Sequence, residues 1–402
     1  MDLEITQQVL LYGFVIAVVL GAVVSKTNFC TMGSVSDWVN IGDTTRLKSW
    51  VLAMVVALIG VTVLEMMDVF VLDGTRPPYR TTGFAWPRYI LGGLLFGVGM
   101  TLASGCANKT LVRIGGGNIK SVFVLLITGI FAYLMTKTDF YGMVFHSWMS
   151  PMSIDLSLYG FAGQDLGSLA AGVAGSEDAR SYRAYIAGGI SLVALVVIFK
   201  SQGLRNSFNH IFAGLAVGFA VLAAWFVTAG PMGQLWQEEV EFMDEIPLGV
   251  GAQSFTFINP MGEFLDFGLN AGDQLFLTFG LVALFGVVVG AFIYALVTRS
   301  FRIEWFLNMK DFINHSIGAV LMGIGGVLAM GCTIGQGVTG ISVLALGSFL
   351  ALFSIILGSA MTMKIQFYKM VYEEDATFFM AFITALVDLK LLPASMRKLD
   401  AV

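Results

Sequence analysis

Apolar runs about twenty residues long, each closed by a short polar or glycine-rich cluster, follow one another along most of the chain. A run of that length reaches across the hydrocarbon core of a bilayer as an α-helix. The pattern predicts nine principal spans, at 8–25, 49–71, 89–106, 120–136, 184–200, 208–228, 274–298, 312–331 and 341–363. The expected fold class is an all-α polytopic membrane protein of about nine transmembrane helices with short re-entrant or broken helices. Two runs are short: Ile90 to Ala103 and Ile317 to Met330 each offer about fourteen apolar residues. Each is expected to be a half-helix followed by irregular backbone, at Ala107 to Gly117 and Thr333 to Gly340. Such backbone is tolerated at membrane depth only where it lines a cavity or packs on protein, and its exposed amides attract an anion.

These two short runs are copies of each other. Gly92 to Cys106 (GGLLFGVGMTLASGC) and Gly318 to Cys332 (GAVLMGIGGVLAMGC) share eight identities in fifteen ungapped positions. They are the third and eighth spans, five steps apart, so they must cross the membrane in opposite directions, which is the signature of an inverted-topology repeat. Residues 1–402 read as a single transmembrane transport domain. Half one covers 1–140, an outside excursion and connecting helix 141–205, half two 206–370, and a cytoplasmic C-terminal tail 371–402.

Composition agrees, with 57% hydrophobic and only 12% charged residues, against about a quarter charged in soluble domains. The first run follows Asp2 and Glu4 and has no basic flank or small-residue cleavage site, so it reads as a retained helix. Lysines and arginines gather in alternate connections: Lys26, Arg46 and Lys48; Lys109, Arg113 and Lys120; Lys200 and Arg205; Arg299, Arg302 and Lys310; Lys364 and Lys369. None lies between Arg205 and Arg299. The N-terminus is therefore expected outside a prokaryotic cytoplasmic (inner) membrane. Arg76, Arg80 and Arg88, after the second span, break the trend. Glu65 and Asp68, at the end of that span, read as interfacial charges before they read as a proton relay.

Chemistry is scarce. The chain has three cysteines and three histidines, with no CxxC pair, no zinc spacing and no Walker A, GxSxG or HExxH motif. No enzyme activity, metal, cofactor or nucleic-acid partner is expected. A lone buried cysteine is usually an inert small hydrophobe. Two at equivalent ends of a repeat are harder to read that way. Cys106 follows Gly105 and precedes Asn108 and Lys109; Cys332 follows Gly331 and precedes Thr333 and Gln336. Polar side chains in apolar segments are costly unless they meet partners or face a cavity. Positive-inside anchoring explains Lys109 and Arg113 as well as ligand contact does. Cys30, in Asn28-Phe29-Cys30 after the first span, has no counterpart near Ala229 and Gly230.

At these residues the sequence resembles the YeeE/YedE family of sulfur-transport membrane proteins. The resemblance rests on Asn28 to Cys30, on Gly97 to Cys106 with Arg113 and Gly115 to Gly117 downstream, and on Gly323 to Cys332. Two positions before the cysteines, this chain has Ser104 and Met330, the latter where the family often has glycine. The resemblance implies import of a small anionic sulfur oxyanion, most simply thiosulfate, past Cys30, Cys106 and Cys332 in turn in a central constriction. It also implies, by analogy, a small cytoplasmic sulfur-carrier protein as partner. Gly105, Gly331, Asn108, Lys109, Thr333 and Gln336 complete the expected substrate-binding set. The competing readings are a membrane thiol or persulfide-transfer oxidoreductase, which needs a reactive thiolate, and a transporter of a selenium or other sulfur compound.

Overall fold

The computed structural model describes residues 4–70, 72, 74–243, 245–373 and 375–400. Its first half contains α1 (Ile5–Thr27), α2 (Thr31–Ser36), α3 (Thr45–Met66), α4 (Trp86–Leu102), α5 (Ala107–Gly115) and α6 (Ile119–Lys137). The connecting region contributes α7 (Ser147–Met149), α8 (Leu166–Ala174), α9 (Ala179–Phe199) and α10 (Gln202–Arg205). The second half follows with α11 (Phe208–Ala229), α12 (Pro231–Val240), α13 (Ile258–Leu269), α14 (Phe279–Val297), α15 (Met309–Leu328), α16 (Leu346–Val371) and α17 (Phe378–Asp388). Among the described residues nine helices are long and apolar enough to cross a membrane. The only sheet among them is a two-residue pairing of Gly83–Phe84 with Ile154–Asp155.

The helix ends follow from local chemistry. Asn118, Thr278 and Asn308 accept N-terminal amide hydrogens of α6, α14 and α15 through their side chains, satisfying donors that would otherwise be orphaned. Asn28 stops α1 in the left-handed region at φ 52°.

The packing between helices is set by glycine. A Cβ on Gly99 would lie 2.6 Å from the Gly318 carbonyl oxygen, and one on Gly325 would lie 2.5 Å from Phe96 N and 2.7 Å from Gly92 O. The backbones of α4 and α15 therefore touch, which only small residues allow. The numbers run in opposite senses, 92 against 325 and 99 against 318, so the two copies lie antiparallel. Each copy also packs on the last long helix of the other half: α4 on α16, and α15 on α6. In the same way α1 packs on α14 and α11 on α3.

Two expectations are corrected. Ala107 to Gly115, expected as irregular backbone, is the helix α5. Most of Thr333 to Gly340 is also wound, with a π-helical turn at Gly335–Gly340. Their length is too short to span, and the polar residues within them hid the helical period. In addition, 378–388, within the expected tail, is helical and packs its apolar face on the end of α16 through Ala381, Ala385, Ile365 and Tyr368.

Arg80, one of the three arginines that break the charge trend, is not a loose loop charge. Arg80 is 7% exposed and forms a two-pronged pair with Glu65, at 2.6 and 2.9 Å. Arg183 of α9 binds the same Glu65 at 2.9 Å and Asp165 at 2.8 Å. Burial alone would raise the Asp165 carboxyl, but Arg183 and Arg80 hold it below its ordinary value. This cluster ties α9, otherwise largely exposed, to α3.

Candidate functional site

Both copies of the repeat end in the same way. Ala103 and Ala329 close the helix, Ser104 and Met330 then turn left-handed at φ 57° each, and the amides of Gly105 and Gly331 return 2.8 Å bonds to Met100 O and Gly326 O. This is a Schellman-type stop, and it explains why glycine suits position 330: a side chain there carries a conformational cost of about 1–2 kcal/mol. The chain then reverses into a second, short helix. Cys106 sits in extended backbone at the cap of α5, and Cys332 holds the matching place, with Thr110 N bonded to Cys106 O at 2.9 Å and Gln336 N to Cys332 O at 2.8 Å. Each thiol thus stands at a helix N-terminus, a position of positive potential.

The structure brings the site together from both halves. The Cys30 and Cys106 thiols lie beside each other, and Thr333 lies beside the Cys106 thiol. Cys332 accepts a bond from the Gly335 amide at 3.5 Å and has Thr256 and the Phe257 amide beside it. All three thiols are free and buried. Phe29, next to Cys30, stacks on the buried Trp50 with ring centroids 4.4 Å apart.

Several buried polar atoms here have no partner. Asn108 is fully buried with both its amide nitrogen and its oxygen unbonded, and the hydroxyls of Thr31, Thr256 and Thr333 make no hydrogen bond. Leaving such groups dry costs about 1–3 kcal/mol each. Their concentration around the three thiols is the chemistry of a site that receives a polar guest.

Other expected residues take different roles. Gln336 is engaged at both ends of its carboxamide: its nitrogen donates to Ala329 O at 2.6 Å and its oxygen accepts from Ser348 at 2.5 Å. It fixes the turn after Cys332 and faces no open space. Gly331 lies directly against it, and Gly105 lies against Lys109 and Arg113. Lys109 donates to Asn28 Oδ1 at 2.9 Å. The Arg113 guanidinium reaches back to Gly105, and that of Arg46 presses on Gly33 beside Cys30. Three cations therefore gather on the Cys30 side of the thiols.

On the Cys332 side opens a cavity of about 530 Å³, lined by Arg76, Arg88, Gln253, Thr256, Asn259, Glu263, Met330 and Gly331 among others. Arg88 lies over the Tyr141 ring at 5.0 Å, with its Nε buried and unbonded. Arg76 lies along Gly251, whose φ of 144° and lack of a side chain make room for it. Among the described residues neither arginine is ion-paired. Sequence reasoning missed this vestibule, although its signal was present: Arg76 and Arg88 are two of the three cations that broke the charge trend. Among the described residues no group of His, Cys, Asp or Glu has the arrangement of a metal site.

Residues 26–361 match the family described as sulphur transport. A thiosulfate transporter of Spirochaeta thermophila, TsuA, is 27% identical over 355 residues, covering 86% of this chain and 96% of that protein. Its namesake in Escherichia coli is 24% identical over 369 residues, covering 87% of this chain and 92% of that one. The match to the family ends before α17.

Proposed function

The chain belongs to the sulphur transport family, and from that footing we propose that it carries thiosulfate across the cytoplasmic membrane past Cys332, Cys106 and Cys30 in that order. Membership, the apolar helices and the two TsuA relatives make it a multi-pass membrane transporter of sulfur compounds. The observation that carries the finer reading is the ring of unpartnered polar side chains, Asn108, Thr256 and Thr333, around thiols that cap two short helices.

In this reading the inverted repeat supplies two opposed helix N-termini, one from each half; the antiparallel contact of α4 with α15, and the exchange of α16 and α6 between halves, support it. The dianion is first met by Arg76 and Arg88, which replace part of its hydration. Its terminal sulfur then takes weak hydrogen bonds from successive thiols, while its oxygens take stronger ones from Asn108, Thr333 and helix amides. Weak, multiple sites permit release as well as capture. Lys109, Arg113 and Arg46 receive the anion at the far end, the face the charge distribution assigns to the cytoplasm, where a sulfur-carrier protein would collect it. The thiols neither gain nor lose a covalent bond, so the chain is not an enzyme. The Cys30–Cys106 contact does favour one rival, persulfide transfer between neighbouring thiols, and mass spectrometry of the protein during turnover decides it: a persulfide on Cys106 would replace hydrogen-bond relay with covalent transfer.

The test at the vestibule is Arg76→Gln combined with Arg88→Gln. Removing two unpaired cations raises the KM for thiosulfate uptake into proteoliposomes by about tenfold to a hundredfold, about 1.4–2.8 kcal/mol, with a smaller change in maximal rate. The effect shrinks at high salt. An unchanged KM would mean that the anion does not pass this cavity.

A further inference from the structure

Glu263 is the one carboxylate lining the vestibule among the described residues, and the transport reading gives it no task. It projects from α13 into the cavity that also holds Arg76 and Arg88. Its partners are neutral: Asn259 donates to one carboxyl oxygen at 2.6 Å, and the Thr278 hydroxyl donates to the other. That choice is informative. A carboxylate clamped by arginine, as Glu65 is by Arg80, is held ionised. A hydroxyl and a carboxamide each carry acceptor as well as donor capacity, so they serve a neutral carboxyl as well as a charged one.

The charged surroundings can be read element by element. From α6 comes Lys137, which is engaged by Asp266 at 2.7 Å, and Asp266 itself stands one turn along α13 from Glu263. From the segment before α4 comes Arg76, felt by Glu263 but not paired with it, and Arg88 lines the same cavity. α14 and α15 present Gly280, Gly326 and Val327, which carry no charge. In the turn after α13, Asp273 is occupied by the Leu275 amide at 3.1 Å.

Resting on the transport reading, we propose that Glu263 is a proton-binding residue of the vestibule, taking up a proton as the sulfur dianion binds between Arg76 and Arg88. Charge requires one of the two to yield. An ionised Glu263 cancels half of the vestibule's cationic charge and repels the incoming anion inside a cavity with low-dielectric walls. Protonation removes that repulsion and leaves both arginines to the substrate. By linkage the reverse also holds: bound anion raises the affinity of Glu263 for a proton. Acidic conditions outside therefore favour capture, and the site binds the dianion together with one proton, with no bond other than O–H formed.

The experiment uses the full chain, purified in detergent and in liposomes, with thiosulfate as the probe. Thiosulfate added to weakly buffered protein draws protons from solution, and the KM for uptake rises with pH once the free carboxyl begins to ionise, by up to tenfold per unit. In Glu263→Gln the proton uptake is lost and the KM stays near the acidic wild-type value at every pH. Glu263→Asp keeps the pH dependence, which separates the carboxyl's charge from a structural role. A wild-type KM independent of pH, or the same slope in Glu263→Gln as in wild type, overturns the inference. Proton-linked binding without any transport would leave it standing and overturn the transport reading instead.

Discussion

Cys106→Ala and Cys332→Ala each lower thiosulfate uptake into proteoliposomes by at least about a hundredfold, a loss of about 2.7 kcal/mol along the path, while the protein remains folded. Each change removes one buried sulfur atom. The cost in packing is small, about 1 kcal/mol for so few atoms, so elution profile and unfolding temperature stay near those of the wild type. The functional cost is larger because the anion is left at a helix terminus with oxygens satisfied and no partner for its terminal sulfur. Cys30→Ala has a smaller effect, since the Cys106 thiol lies beside the same point of the path. Uptake retained in the Cys106→Ala, Cys332→Ala double variant would remove the thiols from the mechanism.

The largest effect on stability is expected at Gly325. A valine there would drive its Cβ into Phe96 N and Gly92 O, both backbone atoms of α4 that cannot swing aside. Overpacking of this kind costs at least about 1–3 kcal/mol where side chains can adjust, and more where the contact is between two backbones. Gly325→Val is expected to yield no monodisperse protein in size-exclusion chromatography. The control is Gly188→Ala on α9, where a Cβ would meet nothing within 4 Å. That change replaces a poor helix former by a good one and is neutral or stabilising by up to about 1 kcal/mol. A well-behaved Gly325→Val protein would mean that α4 and α15 do not meet as described.

The spans could be read from sequence because a bilayer imposes a length that few other constraints imitate. The stop after each repeat was legible only in part: the paired cysteines marked the place, but the two short helices behind them were not evident. In α5 the run Asn108-Lys109-Thr110 looks like loop, and its helical period appears only when Leu111 and Val112 turn inward while Lys109 and Arg113 face the mouth. Gln336 shows a different limit. A carboxamide in an apolar segment suggests a ligand contact, and the structure adds protein partners, Ser348 and Ala329 O, that no local pattern announced. Its partners lie on elements whose approach no local pattern encodes. The vestibule was hidden for the same reason. Arg76, Arg88 and Glu263 come from separate segments, and their meeting depends on how α13 packs against α6. What the sequence did carry was the anomaly of cations that break the charge trend, two of which tertiary structure brings to one cavity wall.

The central claim is that soft thiols select the terminal sulfur of the substrate. Sulfate has the same charge and nearly the same shape as thiosulfate, with oxygen in place of that sulfur, so initial uptake of the two labelled anions by wild-type proteoliposomes tests the claim most directly. The account predicts rapid uptake of thiosulfate, at least about tenfold slower uptake of sulfate, and loss of the preference in Cys106→Ala. Equal uptake of sulfate and thiosulfate by the wild-type protein would contradict it.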